Sequence, residues 1–136
     1  MRFRGEYWFL SNMFPCEIDI TLNGVPHAFT CAEAAFQACK CPARAAEFAG
    51  LDGFAAKKLG RTVDLCPDWE QIRLPAMEYI LRVKFGRHPE LMTRLRSVRG
   101  AIVEDNKWGD RFWGVCDGSG ENHLGRLLMK LRDEAR

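Results

Sequence analysis

Glu33, Phe36, Gln37 and Lys40 are spaced i, i+3, i+4 and i+7, so a helix here gathers a carboxylate, an amide and an ammonium on one face. Ala32, Ala34, Ala35 and Ala38 fill the neighbouring faces and suit close packing, which would turn the polar stripe towards an internal cleft. A carboxylate held there can move a proton. Glu33 also stands three residues after Thr30, in the pattern of a capping box, where it would only close the start of the helix. Lys84 falls in register with Met77, Ile80 and Leu81 on an apolar face. Such a lysine either snorkels to the surface or points into a pocket as a phosphate ligand, a carboxylate partner or a nucleophile of lowered pKa.

A second group of candidates lies towards the C-terminus. Glu104, Asp105 and Asp110 surround Trp108 and Trp113. Opposed carboxylates suit glycosidic cleavage: one assists the leaving group, the other stabilises an oxocarbenium-like sugar or activates water. The alternative is a solvated acidic turn with its tryptophans folded onto the core. The run Gly118 to Gly125 leads into a helix, and its amides with the helix N-terminus would make a phosphate cradle. It is no dinucleotide fingerprint, because the glycine spacing is wrong and no βαβ unit surrounds it. His27, His88 and His123 are far apart and the six cysteines show no zinc-site spacing, so no metal is expected.

The elements that must position these residues are mostly helical. Ile18, Ile20 and Leu22 alternate with polar residues as a strand, Asn23-Gly24 signals a hairpin, and Val25 to Phe29 returns. Pro26 marks an edge or irregular strand. Helices are expected from Thr30 to about Lys40, over 43–49, from an Asp52 cap to Gly60, from an Asp68 cap through a kink or restart at Pro75, from Pro89 to Gly100, and from an Asn122 cap onward. Ala101 to Glu104 reads as a short strand, and 105–121 as a long loop of the kind that carries function. The fold class expected is mainly α: a compact multihelical single domain, residues 1–136, with a small N-terminal β-hairpin.

The 136 residues carry a net charge of +2, too little for a nucleic-acid scaffold but compatible with one cationic pocket. No apolar run nears the roughly 20 residues of a membrane span, and Met1 to Glu6 has no signal-peptide core. The expectation is a cytoplasmic protein with reduced, mostly buried thiols and no membrane partner.

The order of its motifs along the chain resembles the NADAR, or YbiA-like, family. The pieces are Tyr7 to Phe14, Ala32-Glu33 with Phe36-Gln37 and Lys40, Leu59-Gly60-Arg61, Asp68-Trp69, Met77 with Lys84-Phe85, Ile102-Val103-Glu104, Asp110 with Trp113-Gly114, and Gly120 to Met129 with Arg132. The chain departs from the family pattern at Val98-Arg99-Gly100, at Pro75 and around Met13. The resemblance implies N-glycosidase activity on ribosylated or ADP-ribosylated bases, with neither metal nor cofactor. One branch acts on riboflavin-pathway intermediates, the other on ADP-ribosylated guanine, including ADP-ribosylated nucleic acid. It further implies that Glu33, Lys40, Lys84, Glu104 and Asp110 are catalytic. It places Phe9, Ser11, Asn12, Arg61, Trp113, Gly114, Asn122, Leu124 and Gly125 on the substrate. Glu33 and Asp110 would handle protons and ribose hydroxyls. Lys40 or Lys84 would hold phosphate or attack the anomeric carbon. Phe9 and Trp113 would stack on the base, and Asn12 and Asn122 would bind sugar or phosphate. No oligomer is specified. A non-catalytic ADP-ribose-binding module is the competing reading; it would not need carboxylates near the anomeric carbon.

Overall fold

A computed structural model describes residues 1–135, and the chain divides into two compact units. One is the continuous stretch Asn12–Arg87; the other combines Met1–Ser11 with the chain from His88 onward. Among the described residues there are seven helical segments, five α and two 3₁₀, and two small two-stranded sheets. The mainly helical class with its small N-terminal hairpin is therefore what the chain adopts.

The Asn12–Arg87 unit opens with an antiparallel hairpin of β1 (Pro15–Leu22) and β2 (Val25–Cys31). Its turn residues Asn23 and Gly24 have φ of 50° and 77°, the two positive values that a type I′ turn requires. Alternation sends Ile18, Ile20 and Phe29 into the core, each contributing roughly 1.5–3 kcal/mol by burial. Pro15 faces Cys31 while Ile18 faces Phe29, so β1 carries one extra residue and is bulged. Pro26 lies in a sheet of only two strands, where every strand is an edge.

Helix α1 (Ala32–Cys39) follows, and every residue in it except Glu33 is buried. It packs on β1, β2, α2 (Gly53–Gly60) and α3 (Trp69–Arg87). The expected capping box is not formed. Thr30 still belongs to β2, and its hydroxyl donates to the Leu51 carbonyl at 2.5 Å. Cys31 takes the N-cap position with no side-chain hydrogen bond, and the Glu33 N–H donates to the Asn12 carbonyl at 2.9 Å. A 3₁₀ helix, Pro42–Phe48, stands where a short helix was expected. Asp52 caps α2 as anticipated, its Oδ1 accepting from the Ala55 N–H at 2.8 Å. The α1–α2 approach needs glycine. A Cβ on Gly60 would lie 1.9 Å from Gln37 Oε1, and one on Gly53 2.2 Å from Met13 Sδ. Helix α3 runs unbroken through Pro75, so of the expected kink or restart the restart does not occur. Pro75 is on its exposed side. Buried Trp69, Met77, Ile80, Leu81 and Phe85 anchor the helix on both sides of the one missing backbone donor.

In the other unit a 3₁₀ helix, Gly5–Leu10, buries Phe9 and Leu10. Helix α4 (Pro89–Ser97) buries Leu91 and Leu95 against α5 (His123–Glu134), whose Leu124, Leu128 and Leu131 are buried in turn. Buried Arg132 ties the two: its Nη1 donates to the Val98 carbonyl at 3.1 Å and the Gly100 carbonyl at 2.5 Å. Ala101 to Glu104 is not a strand. Pairing starts one residue later, with β3 (Asp105–Asn106) parallel to β4 (Val115–Cys116). The stretch 105–121 is thus a loop pinned by a small ladder rather than a structureless one. No helix among the described residues is long and apolar enough to cross a membrane. Cys31, Cys39 and Cys116 are buried thiols, Cys16, Cys41 and Cys66 partly buried ones.

Candidate active site

Each unit holds its own group of the expected site residues. In Asn12–Arg87, Glu33 is the half-buried member of an otherwise buried helix, and its Oε2 accepts from Gln37 Nε2 at 2.8 Å. The i, i+4 spacing brings them together, as the sequence indicated. Gln37 Oε1 is buried and accepts no hydrogen bond. Lys40, one turn further, has its pKa lowered mainly by burial. Glu33 pulls it back up, and Arg61 and Lys57 push it further down. Arg61 is exposed just beyond α2. Glu33, Gln37 and Lys40 thus lie along one face of α1, and Lys57 and Arg61 are the other charges that bear on Lys40.

Asn12 is buried; its Nδ2 donates to Met77 Sδ at 3.5 Å, and its Oδ1 accepts no hydrogen bond. Lys84 is wholly enclosed. Its Nζ lies 5.3 Å from the Phe85 ring centroid and 5.8 Å from that of Phe14. Burial pushes its pKa down to about 8, against the pull of Cys16 and Cys31. The snorkelling alternative is thus not what the chain does.

In the other unit Asn106 organises the acidic loop. Its Nδ2 donates to Glu104 Oε2 and to the Asp110 carbonyl, both at 2.8 Å, and its Oδ1 accepts from the Asp110 N–H at 3.1 Å. Asp110 Oδ1 accepts from the N–H groups of Phe112 (3.1 Å) and Trp113 (2.9 Å), closing a turn. Half-buried Trp113 meets Phe112 edge-on at 4.8 Å. Phe9 is buried with the Arg94 guanidinium 4.2 Å from its ring centroid, so that ring face is already covered. Ser11 closes the 3₁₀ helix, its N–H donating to the Trp8 carbonyl. Gly114 and Gly125 are packing positions: a Cβ would stand 2.0 Å from Glu104 Oε2 or 2.2 Å from the Ile102 carbonyl.

The start of α5 is not a phosphate cradle. The N–H groups of Glu121, Asn122, His123 and Leu124 donate to the carbonyls of Arg111, Gly114, Phe112 and Trp113 at 2.8–3.2 Å, so the protein's own main chain fills the positions an anion would take. Asn122 is the N-cap residue but does not cap with its side chain. Its Oδ1 accepts from the Glu104 N–H at 2.9 Å and its Nδ2 donates to the Ile102 carbonyl at 3.0 Å. With φ at 55° it sits in the left-handed region that Asn tolerates. Replacing Asn122 with Ala leaves a buried N–H and a buried carbonyl unpaired and lowers stability by about 2–4 kcal/mol in urea unfolding. Asn122→Gly, which removes backbone strain as well, should recover only a minor part of that loss.

Sequence reasoning missed Asn106. Nothing in the local pattern marks Asn106 as the centre of a buried network.

This helical fold and its grouped residues define a known domain class. The NADAR domain model matches residues 2–136, and the chain belongs to that family. It is 33% identical over 135 residues to a riboflavin biosynthesis protein of Vibrio vulnificus, covering 95% of this chain and 36% of that protein. It is 35% identical over 82 residues to the N-glycosidase YbiA of Escherichia coli, covering 58% of this chain and 51% of that one. A 68-residue stretch is 41% identical to the chloroplastic riboflavin biosynthesis protein PYRR of Arabidopsis thaliana, 11% of whose length is matched. The chain thus spans about half or less of the curated relatives it matches. The NMR structure of the E. coli protein YbiA superposes with a TM-score of 0.82 at 29% identity, covering 99% of this chain and 83% of that one.

Proposed function

We propose that the chain is an N-glycosidase, a single NADAR domain over residues 1–136 that hydrolyses the bond between a nitrogenous base and a ribose phosphate or ADP-ribose. The observation that carries this reading is the Glu33 carboxylate, half-buried on a buried helix, oriented by Gln37 and neighboured by Lys40. Hydrolysis of an N-glycosidic bond passes through an oxocarbenium-like sugar and needs a carboxylate to stabilise it and handle a proton. Glu33 takes that role. The names of the relatives, N-glycosidase YbiA and riboflavin biosynthesis proteins, support the same reaction class.

Among the other carboxylates, Glu104 and Asp110 shape the loop that presents Trp113. Of the two candidate lysines, partly exposed Lys40 meets the substrate, whereas enclosed Lys84 does not. The substrate classes are an aminated pyrimidine bearing ribose 5-phosphate and ADP-ribosylated guanine. A paired assay tests the reading. Purified protein is given each compound, with and without EDTA, and released base and sugar are followed by mass spectrometry. Cleavage of one compound, unaffected by EDTA, is expected. Thermal stabilisation by ADP-ribose without cleavage of either compound overturns the reading in favour of a binding module; at 100 times its dissociation constant a ligand adds about 2.7 kcal/mol.

A further inference from the structure

The C-terminal end of α1 gathers three thiols. Cys39 is its last residue, Cys41 stands two residues on, and Cys66 reaches them from the irregular stretch between α2 and α3. The main chain makes the first contact. The Cys66 N–H donates to the Lys40 carbonyl at 2.7 Å, and that carbonyl belongs to the peptide unit shared with Cys41. Standard peptide dimensions then hold the Cα atoms of Cys41 and Cys66 within about 6.5 Å of each other, inside the roughly 4.4–6.8 Å that a disulfide spans. The Cys66 thiol turns the same way, its Sγ donating to the Cys39 carbonyl at 3.7 Å. Pro42 follows Cys41 and Pro67 follows Cys66. A proline disfavours helical backbone in the residue before it, and neither cysteine is taken up into a helix.

Burial separates the three. Cys39 is buried, and its thiol is pushed up to about 12, chiefly by that burial, so it stays protonated and shut away. Cys41 and Cys66 are only partly buried, within reach of a small oxidant. The Cys66 thiol is raised too, by burial first and further by Cys41, an influence that reflects how near the two sulfurs lie. Between them is Lys40, whose carbonyl carries the Cys66 hydrogen bond. Drawing the two sulfurs into a covalent bond therefore moves the backbone that bears the Lys40 side chain.

We propose that Cys41 and Cys66 are a redox pair that a hydroperoxide closes to a disulfide, tethering the end of α1 to the approach of α3 and displacing Lys40. One sulfur, as thiolate, attacks a peroxide oxygen and breaks the O–O bond, giving a sulfenic acid and releasing an alcohol, or water from hydrogen peroxide. The other thiolate then attacks that sulfur and expels its oxygen as water. Two thiols are oxidised, one hydroperoxide is reduced, and a dithiol reductant reverses the change. The effect on hydrolysis rests on the reading of Lys40 as the lysine that meets substrate; the disulfide itself does not.

Peptide mapping tests the pairing directly, because trypsin cuts after Lys40 and so parts Cys39 from Cys41. Reduced protein is treated with a small excess of hydrogen peroxide. Its remaining thiols are blocked with N-ethylmaleimide under denaturing conditions, and the tryptic peptides are read by mass spectrometry. Two of the six thiols should be lost, with peptide 41–44 joined to peptide 62–73, and dithiothreitol should restore both. Cys66→Ser should abolish the joined peptide, whereas Cys39→Ala should keep it. Hydrolysis of the compound that wild type cleaves should fall several-fold on oxidation and recover with dithiothreitol. In Cys66→Ser the same peroxide treatment should leave it unchanged. Peroxide that leaves every thiol free, carries them on to sulfinic acid, or joins Cys66 to the Cys39 peptide overturns the pair. A Cys41–Cys66 disulfide that leaves turnover intact overturns the link to Lys40. Absence of turnover in reduced wild type overturns the glycosidase reading alone, and the peptide map then still decides the pair.

Discussion

Glu33→Gln leaves the fold in place and lowers turnover by roughly 10²–10⁴-fold, the usual contribution of a positioned acid or base. The structure explains why the two effects separate. Glu33 does not cap α1; its backbone N–H is satisfied by the Asn12 carbonyl, and Cys31 occupies the cap position. A glutamine there still offers an oxygen to Gln37 Nε2, so the shape of the pair is kept. What is lost is the charge. Without it, the one influence raising the Lys40 pKa disappears, while burial, Arg61 and Lys57 go on lowering it. Steady-state hydrolysis set beside urea unfolding decides the matter. A collapse of the unfolding midpoint together with the rate would make the carboxylate structural.

The second large effect concerns stability. Lys84→Met is expected to raise the unfolding free energy by about 3 kcal/mol at pH 7, because a buried charge gives way to an apolar side chain of similar length. The pH dependence fixes the sign. The folded-state value of about 8 lies below the ordinary 10.5. Below pH 8 Lys84 is protonated in both states, and the full cost of burying the ammonium is present. Between about pH 8 and 10.5 the folded state releases its proton first, so the unfolded state binds more protons and stability rises with pH. Above that window the cost is gone. The gain from Lys84→Met should therefore shrink steadily across it, as seen by unfolding at several pH values. Turnover in the same variant assigns the chemistry. Retained hydrolysis leaves Lys40 as the lysine that meets substrate; loss of hydrolysis in a stable protein would transfer that role to Lys84.

What was legible in the sequence was whatever depends on short-range spacing. Asn23-Gly24 determines its own turn, Asp52 its own cap, and the i, i+4 interval of Glu33 and Gln37 their contact. The apolar register of Lys84 with Met77, Ile80 and Leu81 placed it on the buried face but left a snorkelling lysine equally open, and only the packing around it decides for burial. The misreadings share one cause: a partner distant in sequence outbid the local one. Thr30 had the right position for a capping box but gave its hydroxyl to Leu51. Asn122 had the right position for an N-cap, yet its side chain bridges Ile102 and Glu104 while main-chain carbonyls close the helix. Pro75 had the local signature of a kink or restart, and burial along the rest of α3 keeps the helix from restarting there. The glycine-rich run before α5 looked open to a phosphate because nothing near it in sequence showed that residues 111–114 would fill it.

That last arrangement bears on how the protein can change. Because α5 is closed by the carbonyls of Arg111, Phe112, Trp113 and Gly114 rather than by side chains, the helix start does not depend on which side chains stand at 111–113. Only Gly114 is fixed, since any Cβ there would strike Glu104. The main-chain closure of α5 accordingly survives changes of side chain at 111–113, and the cost of such a change falls instead on ring contacts such as that of Phe112 with His123.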